Sequence, residues 1–387
     1  MPRRLSILFL LMAVCGSSSS GARAQAPEFR PGPEVPAMPK ALMKLPRTAI
    51  SRARFPAIDF HLHGGRGLGS ADDYKKMIQL MDATGVGVLC NMDGGFGATF
   101  DRNMKVGEPF RDRVIHFARL NFEGINEPGW SARTAAELER TFLAGAAGLK
   151  IAKGLGLELK NPDGSYIQSD DARFDPVWAM CAKHEKPVMI HISDSYGRFL
   201  PIGPENERYE AGLWRSNTEG NYYKTGHPTH DVIEKARENM HAKHPKTRFV
   251  NAHMAMLYYD MDKVAALLDK YPNADVEISA TVQDLGRAPL LVRKFFVKYQ
   301  DRILFGSDGN PGRGIDEFWV PHFRFLESYD EHFDHPAQLR SPAGAPLHGR
   351  WRIYGIGLPD EVLRKVYYAN ALRYLPSARA SIQRQLR

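Results

Sequence analysis

The segment Ala57-Ile58-Asp59-Phe60-His61-Leu62-His63-Gly64 is a short apolar run that ends in two histidines one residue apart. Side chains alternate faces along a strand, so His61 and His63 are expected to point one way, and Phe60 and Leu62 the other. Two imidazoles at a strand end can converge on one cation, and imidazole suits zinc and similar divalent metals. A lone His-x-His pair is more often a surface or core pair than a metal site. Its weight changes here because later apolar runs end in the same kind of residue: Val-Met-Ile-His191, Val-Asn-Ala-His253 and Leu-Phe-Gly-Ser-Asp308. Lys150 lies inside a further such run, Gly-Leu-Lys-Ile-Ala-Lys-Gly, with Lys153 next to it.

The elements that must bring these residues together follow from periodicity. From Phe55 on, short β-branched runs alternate with helical patterns. Strands are predicted at 56–62, 86–92, 113–121, 146–152, 187–193, 247–253, 274–280 and 302–307, and helices at about 70–83, 134–145, 171–184, 228–243, 260–270 and 289–299. Strands separated by helices pair in parallel through right-handed crossovers. Eight of them close a (β/α)8 TIM barrel, an α/β fold, with an open doubly wound sheet as the competing arrangement. In a closed barrel the C-terminal strand ends share one rim, where side chains distant in sequence can meet. Two long post-strand segments, 194–227 and 309–350, carry many aromatic residues and are expected to act as lids and pocket walls.

With these motifs together, the chain resembles the amidohydrolase superfamily of metal-dependent barrel enzymes. The resemblance is strongest to the amidohydrolase-2 branch, which includes aminocarboxymuconate-semialdehyde decarboxylase, benzoate-type decarboxylases and some lactonases. It covers about residues 55–376 and includes the Phe-Gly-Ser-Asp of strand eight and a terminal Tyr-Tyr-Ala-Asn-Ala-Leu-Arg helix at 367–373. The resemblance implies that His61, His63, His191 and Asp308 ligate one divalent metal, with His253 as the catalytic or second-metal histidine. Lys150 matches the lysine that bridges two metals in binuclear relatives when carboxylated. In mononuclear members a lysine there binds no metal, and Lys150 or Lys153 would then pair with a substrate anion or a carboxylate.

Residue chemistry agrees with that implication. Three neutral nitrogens and one carboxylate leave a cation positive and can leave one coordination position open. Zn2+ is the first expectation, with Mn2+ or Fe2+ as alternatives, one ion or two. A water there becomes acidic, Asp308 could take its proton, and His253 could hydrogen-bond a developing oxyanion. Hydrolysis of a lactone, ester or amide is the first expectation. Decarboxylation of an aromatic or unsaturated carboxylate is the second, and a metal-holding protein without catalysis the third. Arg287 is a candidate anchor for a substrate carboxylate or phosphate, with a surface role as its alternative. Glu277 is expected to face the barrel interior, where it could pair with Lys150.

The N-terminus and composition bound the rest. Arg3 and Arg4, an apolar run from Leu5 to Val14 and the small residues ending at Ala24 form the pattern of a secretory signal over residues 1–24. Export to the periplasm or medium is therefore expected, by the general or the twin-arginine route. A proline-rich arm over residues 25–50 and the barrel over 51–387 complete the domain reading. Losing Arg3, Arg4 and Arg23 lowers the 52 basic side chains to 49 against 44 acidic ones, a net charge of +5. The charges are interspersed, so a nucleic-acid partner has no support. The apolar run is too short for a stable membrane span. A small-molecule substrate is the expected partner, and a homo-oligomer is compatible with the sequence. Cys90 and Cys181 are expected to be buried free thiols. Gly64-Gly65-Arg66-Gly67-Leu68-Gly69 lacks the Gly-x-Gly-x-x-Gly spacing of a dinucleotide loop, and no serine has a nucleophile-elbow setting. His227, His230, His241 and His244 are expected at the surface.

Overall fold

The computed structural model describes residues 42–209, 221–311, 318–336 and 351–387. The proposed signal segment and the first part of the arm lie outside the described residues, as does Trp214.

Eight parallel strands follow one another around a barrel: Ala57–Leu62, Val86–Asn91, a third in two pieces (Val114–His116 and Ala118–Arg119), Leu149–Ile151, Val188–Ile190, Phe249–Asn251, Ala274–Glu277 and Ile303–Leu304. The third strand breaks at Phe117, whose N–H still donates to Asn91 O at 3.0 Å, so the ladder continues across the break. The first and eighth strands meet through Phe60 N–H to Phe305 O (3.0 Å), Ser307 N–H to His61 O (3.2 Å) and Asp308 N–H to His61 O (2.7 Å). Helices at Ala71–Thr84, Trp130–Leu143, Asp175–Lys183, His230–Lys243, Met261–Lys270 and Pro289–Lys298 lie within a few residues of their predicted positions.

Asp59 braces the seam between the first and eighth strands. Fully buried, its carboxylate accepts from Ser307 N–H (3.0 Å), Ser307 Oγ–H (2.6 Å), Trp319 Nε1–H (2.6 Å) and His61 N–H (3.1 Å). Burial pushes this carboxyl up to about 6 even with those four donors. The pairing register slips between Asp59 and Leu62. As a result Phe60 packs with Met189, Val250 and Leu304, while Leu62 joins a different apolar cluster. The simple alternation expected for Phe60 and Leu62 therefore fails at an irregularity of the kind that re-aims side chains beside active sites.

Two other expectations are corrected. The 309–350 segment is not a plain loop among its described residues, because Trp319–Glu327 forms a helix with Trp319, Phe323 and Phe325 fully buried. Aromatic residues are mediocre helix formers, by about 0.5 kcal/mol each, but burying each ring contributes about 1.5–3 kcal/mol. Packing therefore wins, and these rings belong to the core rather than to a pocket wall. His230 and His241 are buried, not exposed. His230 sits edge-on to Tyr196, Phe199 and Tyr259, and His241 lies against Phe249 and Tyr271. Cys90 and Cys181 are free and buried, as expected.

The described part of the arm docks beside the 319–327 helix. Thr48 N–H and Oγ–H donate to Asp330, and Arg54, just beyond the arm, pairs with Glu327 and Asp360. Among the described residues no helix is long and apolar enough to cross a membrane.

Burial holds four histidines away from the metal-type ligands well below their ordinary value: His116 and His322 at about 4, and His230 and His241 at about 3. Between those values and about 6.5 the unfolded chain binds protons that the folded chain refuses, so stability rises with pH across that window. It is fully present above pH ~6.5 and is lost as pH falls toward 4. Thermal melts between pH 7 and 4.5 should show a steadily falling midpoint; a flat profile would contradict neutral burial of these rings.

Candidate metal centre

At the C-terminal end of the first strand His61 is fully buried, while His63 is partly open. His61 Nδ1 lies 3.0 Å from Glu277 Oε1, and His63 Nδ1 lies 2.9 Å from Asp93 Oδ1. A carboxylate only accepts, so both rings carry their proton on Nδ1 and turn the lone pair of Nε2 to the other side. On that side His61 Nε2 is 3.3 Å from His63 Nε2 and 3.4 Å from Asp308 Oδ1, and His63 Nε2 is 3.3 Å from Asp308 Oδ1. Metal–ligand bonds of about 2.0–2.1 Å in tetrahedral geometry separate neighbouring ligand atoms by about 3.3 Å. The three atoms are thus spaced as one face of a coordination tetrahedron would be. They are also three electron-pair donors gathered together, an arrangement that a divalent cation relieves. The donor set fits the metal that the sequence predicts.

The backbone at this rim is strained. Asp308 has a φ of +55°, and His253 to Met256 form four consecutive non-glycine residues at φ between +52° and +60°. Each left-handed residue costs about 1–2 kcal/mol, a cost that persists where surrounding packing enforces it. Gly306 belongs to the same packing. A Cβ there would lie 2.6 Å from Glu277 Oε2 and 3.0 Å from the His61 Cβ, so the Phe-Gly-Ser-Asp segment needs glycine at this close approach.

Lys150 is buried with its Nζ 2.9 Å from His61 Nε2. Burial lowers its pKa to about 8, with Asp308 and Glu277 opposing the shift. Glu277 faces the interior as expected but engages His61, Ser279 and the His253 N–H (2.8 Å), so the pairing with Lys150 is replaced by one with His61. Burial holds the His61 imidazole well below its usual range, reinforced by the charge of Lys150. For Asp308 burial acts upward, but His61, His253, His63 and Lys150 outweigh it and keep the carboxyl below its ordinary value. Asp93 behaves alike: burial opposes, while His63 and Arg119 bring it down to about 2.

A second group of metal-type ligands combines His61, His253 and Glu277. Its centre is filled by the Ser279 hydroxyl, 3.0 Å from each Nδ1 and 2.7 Å from Glu277 Oε1. It is a hydrogen-bond hub rather than a cation cradle. His191 joins neither group. Its Nε2 is buried without a hydrogen-bond partner among the described residues, and its ring stands 4.4 Å from that of His253.

Above the centre opens a cavity of about 280 Å³ lined by Lys153, His191, Arg208, His253, Asp284 and Asp308 among others. Lys153 Nζ donates to Asp194 Oδ2 at 2.7 Å. Arg287 is held elsewhere, paired with Glu207 (3.0 Å) and Asp284 (3.3 Å) and lying over Trp351. Two arginines lie on the cavity wall: Arg198, paired with Asp194 (3.2 Å), and Arg208, which donates to Asp284 (2.8 Å) and Tyr258 Oη (2.9 Å). Reading the sequence missed Arg208, Asp93 and Ser279. Asp93 and Ser279 each lie two residues beyond the last residue of a strand, a position that could have flagged them; Arg208 lies in a loop with no such signal.

Glu277→Gln should weaken divalent-metal binding about 10–100-fold, because the brace of His61 is wholly buried. Asp93→Asn should cost less, because its site is partly solvated. Competition with a chromophoric chelator measures both, and equal losses would contradict this ranking.

The chain matches the family model described as Amidohydrolase over residues 58–376. Solved structures with a similar fold include 4-oxalomesaconate hydratase from Rhodopseudomonas palustris, at 16% identity over 84% of this chain and 98% of that one, TM-score 0.48. Others are 2,6-dihydroxybenzoate decarboxylase from Rhizobium (15%, 83% and 99%, TM-score 0.47) and a putative 2-pyrone-4,6-dicarboxylic acid hydrolase from Pseudomonas putida (13%, 84% and 98%, TM-score 0.45). No curated protein matches the chain.

Proposed function

The chain belongs to the amidohydrolase family, and on that footing we propose that it is an exported metal-dependent hydrolase that cleaves a C–O or C–N bond of a small lactone, ester or amide. His61, His63 and Asp308 would hold one divalent ion, Zn2+ before Mn2+ or Fe2+, with His191 as the further ligand the family resemblance implies. Bound there, the ion would supply Lewis acidity to a substrate carbonyl and lower the pKa of a water toward 7.

The observation that carries the hydrolytic reading is the partner of His253 Nδ1. Its Nδ1 lies 2.8 Å from the Ser279 carbonyl oxygen, which can only accept. A neutral His253 therefore keeps its proton on Nδ1 and has a lone pair on Nε2, the reverse of the N–H that oxyanion binding would need. Asp308, held below the ordinary carboxylate range, is a second acceptor on the same cavity. Two proton acceptors facing one cavity suit removal of a proton from water. Asp308 takes that proton as general base and returns it to the leaving group. Decarboxylation asks instead for a proton to deliver to a carbanion, and Asp308, held as a carboxylate, has none to give. Lys153, Arg198 and Arg208 form the cationic wall against which the remote part of the substrate is held, in place of Arg287. The signal pattern of residues 1–24 supports export.

Protein purified without chelator should carry one ion per chain and turn over members of a panel of lactones, esters and amides. Stripping the metal should abolish turnover and adding it back should restore it. Release of carbon dioxide from aryl carboxylates without hydrolysis would replace the proposal with the decarboxylase, and an occupied site with no turnover would favour the binding protein. Two ions per chain would bring Lys150 and His253 into the ligand set. Asp308→Asn should lower kcat by at least about 100-fold, the scale of a lost general base. Arg208→Gln should act mainly by raising KM.

A further inference from the structure

Ser279 is fully buried at the end of the seventh strand, and its hydroxyl touches three functional groups at once. Oγ is 2.7 Å from Glu277 Oε1, 3.0 Å from His61 Nδ1 and 3.0 Å from His253 Nδ1. A hydroxyl has one proton and two lone pairs. Glu277 Oε1 is a carboxylate oxygen that already accepts from the His253 N–H at 2.8 Å, so the hydroxyl proton goes to Glu277. Both lone pairs of Oγ then face the two imidazole Nδ1–H groups, each shared with a second acceptor: Glu277 Oε1 for His61 (3.0 Å) and the Ser279 carbonyl for His253 (2.8 Å). The Ser279 main chain closes the same unit: its N–H donates to Glu277 Oε2 at 2.5 Å, and its carbonyl accepts from His253 Nδ1 at 2.8 Å.

We propose that Ser279 is a positioning residue that links the ring of His253 to the buried negative charge of Glu277 and orients it together with His61. This inference rests on the hydrolytic reading for its kinetic consequence, but not for its geometry. His61 reaches Glu277 directly at 3.0 Å. The His253 ring reaches that carboxylate only through the Ser279 hydroxyl, in the order Nδ1–H to Oγ–H to Oε1. The Nδ1–H bond to Oγ and the Oγ–H bond to Glu277 reinforce one another, since chained hydrogen bonds polarise one another, and together they fix the face that His253 Nε2 turns to the cavity. Losing the hydroxyl leaves His61 its own carboxylate, so metal binding persists while the His253 ring loses its link to the charge.

The test uses the full zinc-loaded protein and its Ser279→Ala and Ser279→Thr variants, labelled with 15N at histidine. In the unaltered protein both His61 and His253 should be protonated on Nδ1, with Nδ1–H signals displaced downfield. In Ser279→Ala the two Nδ1–H signals should move upfield together, and Ser279→Thr should bring them back. On whichever panel substrate the enzyme turns over, Ser279→Ala should lower kcat about 10–100-fold, the usual cost of a lost orienting partner. KM and zinc content should stay within about twofold, and the threonine variant should recover most of the rate. A His253 carrying its proton on Nε2 in the unaltered protein overturns the proposal, as does a shift of only one ring in the alanine variant. Undiminished kcat, or a loss confined to KM or zinc content, overturns it too. The spectra of the unaltered protein need no turnover and no variant that folds. Failure of the hydrolase reading would instead appear as absent turnover with this hydrogen-bond pattern intact.

Discussion

The seam between the first and eighth strands is the constraint on which everything else depends. His61 and His63 come from one side of it and Asp308 from the other, nearly 250 residues apart in the chain. Asp59 holds the seam with one buried carboxylate satisfied by four donors from the first strand, the residues following the eighth strand and the Trp319–Glu327 helix. Burying a charge is costly unless it is fully hydrogen-bonded, and the full complement of donors offsets that cost here. The triangle of ligand atoms is only as well defined as this joint.

Around the centre, each imidazole is turned by the acceptor that takes its Nδ1 proton. Glu277 turns His61, Asp93 turns His63, and the Ser279 carbonyl turns His253. Three acceptors on one side turn electron pairs to the other, and that polarity suits a divalent cation. Strain is concentrated at the same rim, in Asp308 and in the left-handed run from His253 to Met256. An isolated chain would relax such a run, and the surrounding core holds it, with Met254 and Ala255 fully buried.

Much of the fold was legible because a barrel repeats one simple unit. Apolar runs of strand length alternating with helices over Phe55–Lys298 reproduce the observed order closely, and the histidines at strand ends read as a rim. The misreadings have physical causes. The helix at Trp319–Glu327 is rich in aromatic residues with weak helical propensity, so burial decided its conformation. His230 and His241 sit on a helix whose sequence is polar overall, and only contact with Tyr196, Tyr259 and Tyr271 shows that they face inward. Arg287 carries the right charge in a plausible loop, yet Glu207 and Asp284 hold it away, and Arg208 from a different loop lines the cavity.

The sequence by itself determined the class of the protein and the ligand types, because strand period, helix period and residue chemistry are local properties. Tertiary structure alone decided which nitrogen of each histidine faces the centre, which arginines line the cavity and which carboxylate serves which ring. Those outcomes depend on where an acceptor from one strand meets an imidazole from another, over distances of a few ångströms set by barrel closure. Local pattern carries no information about such distances.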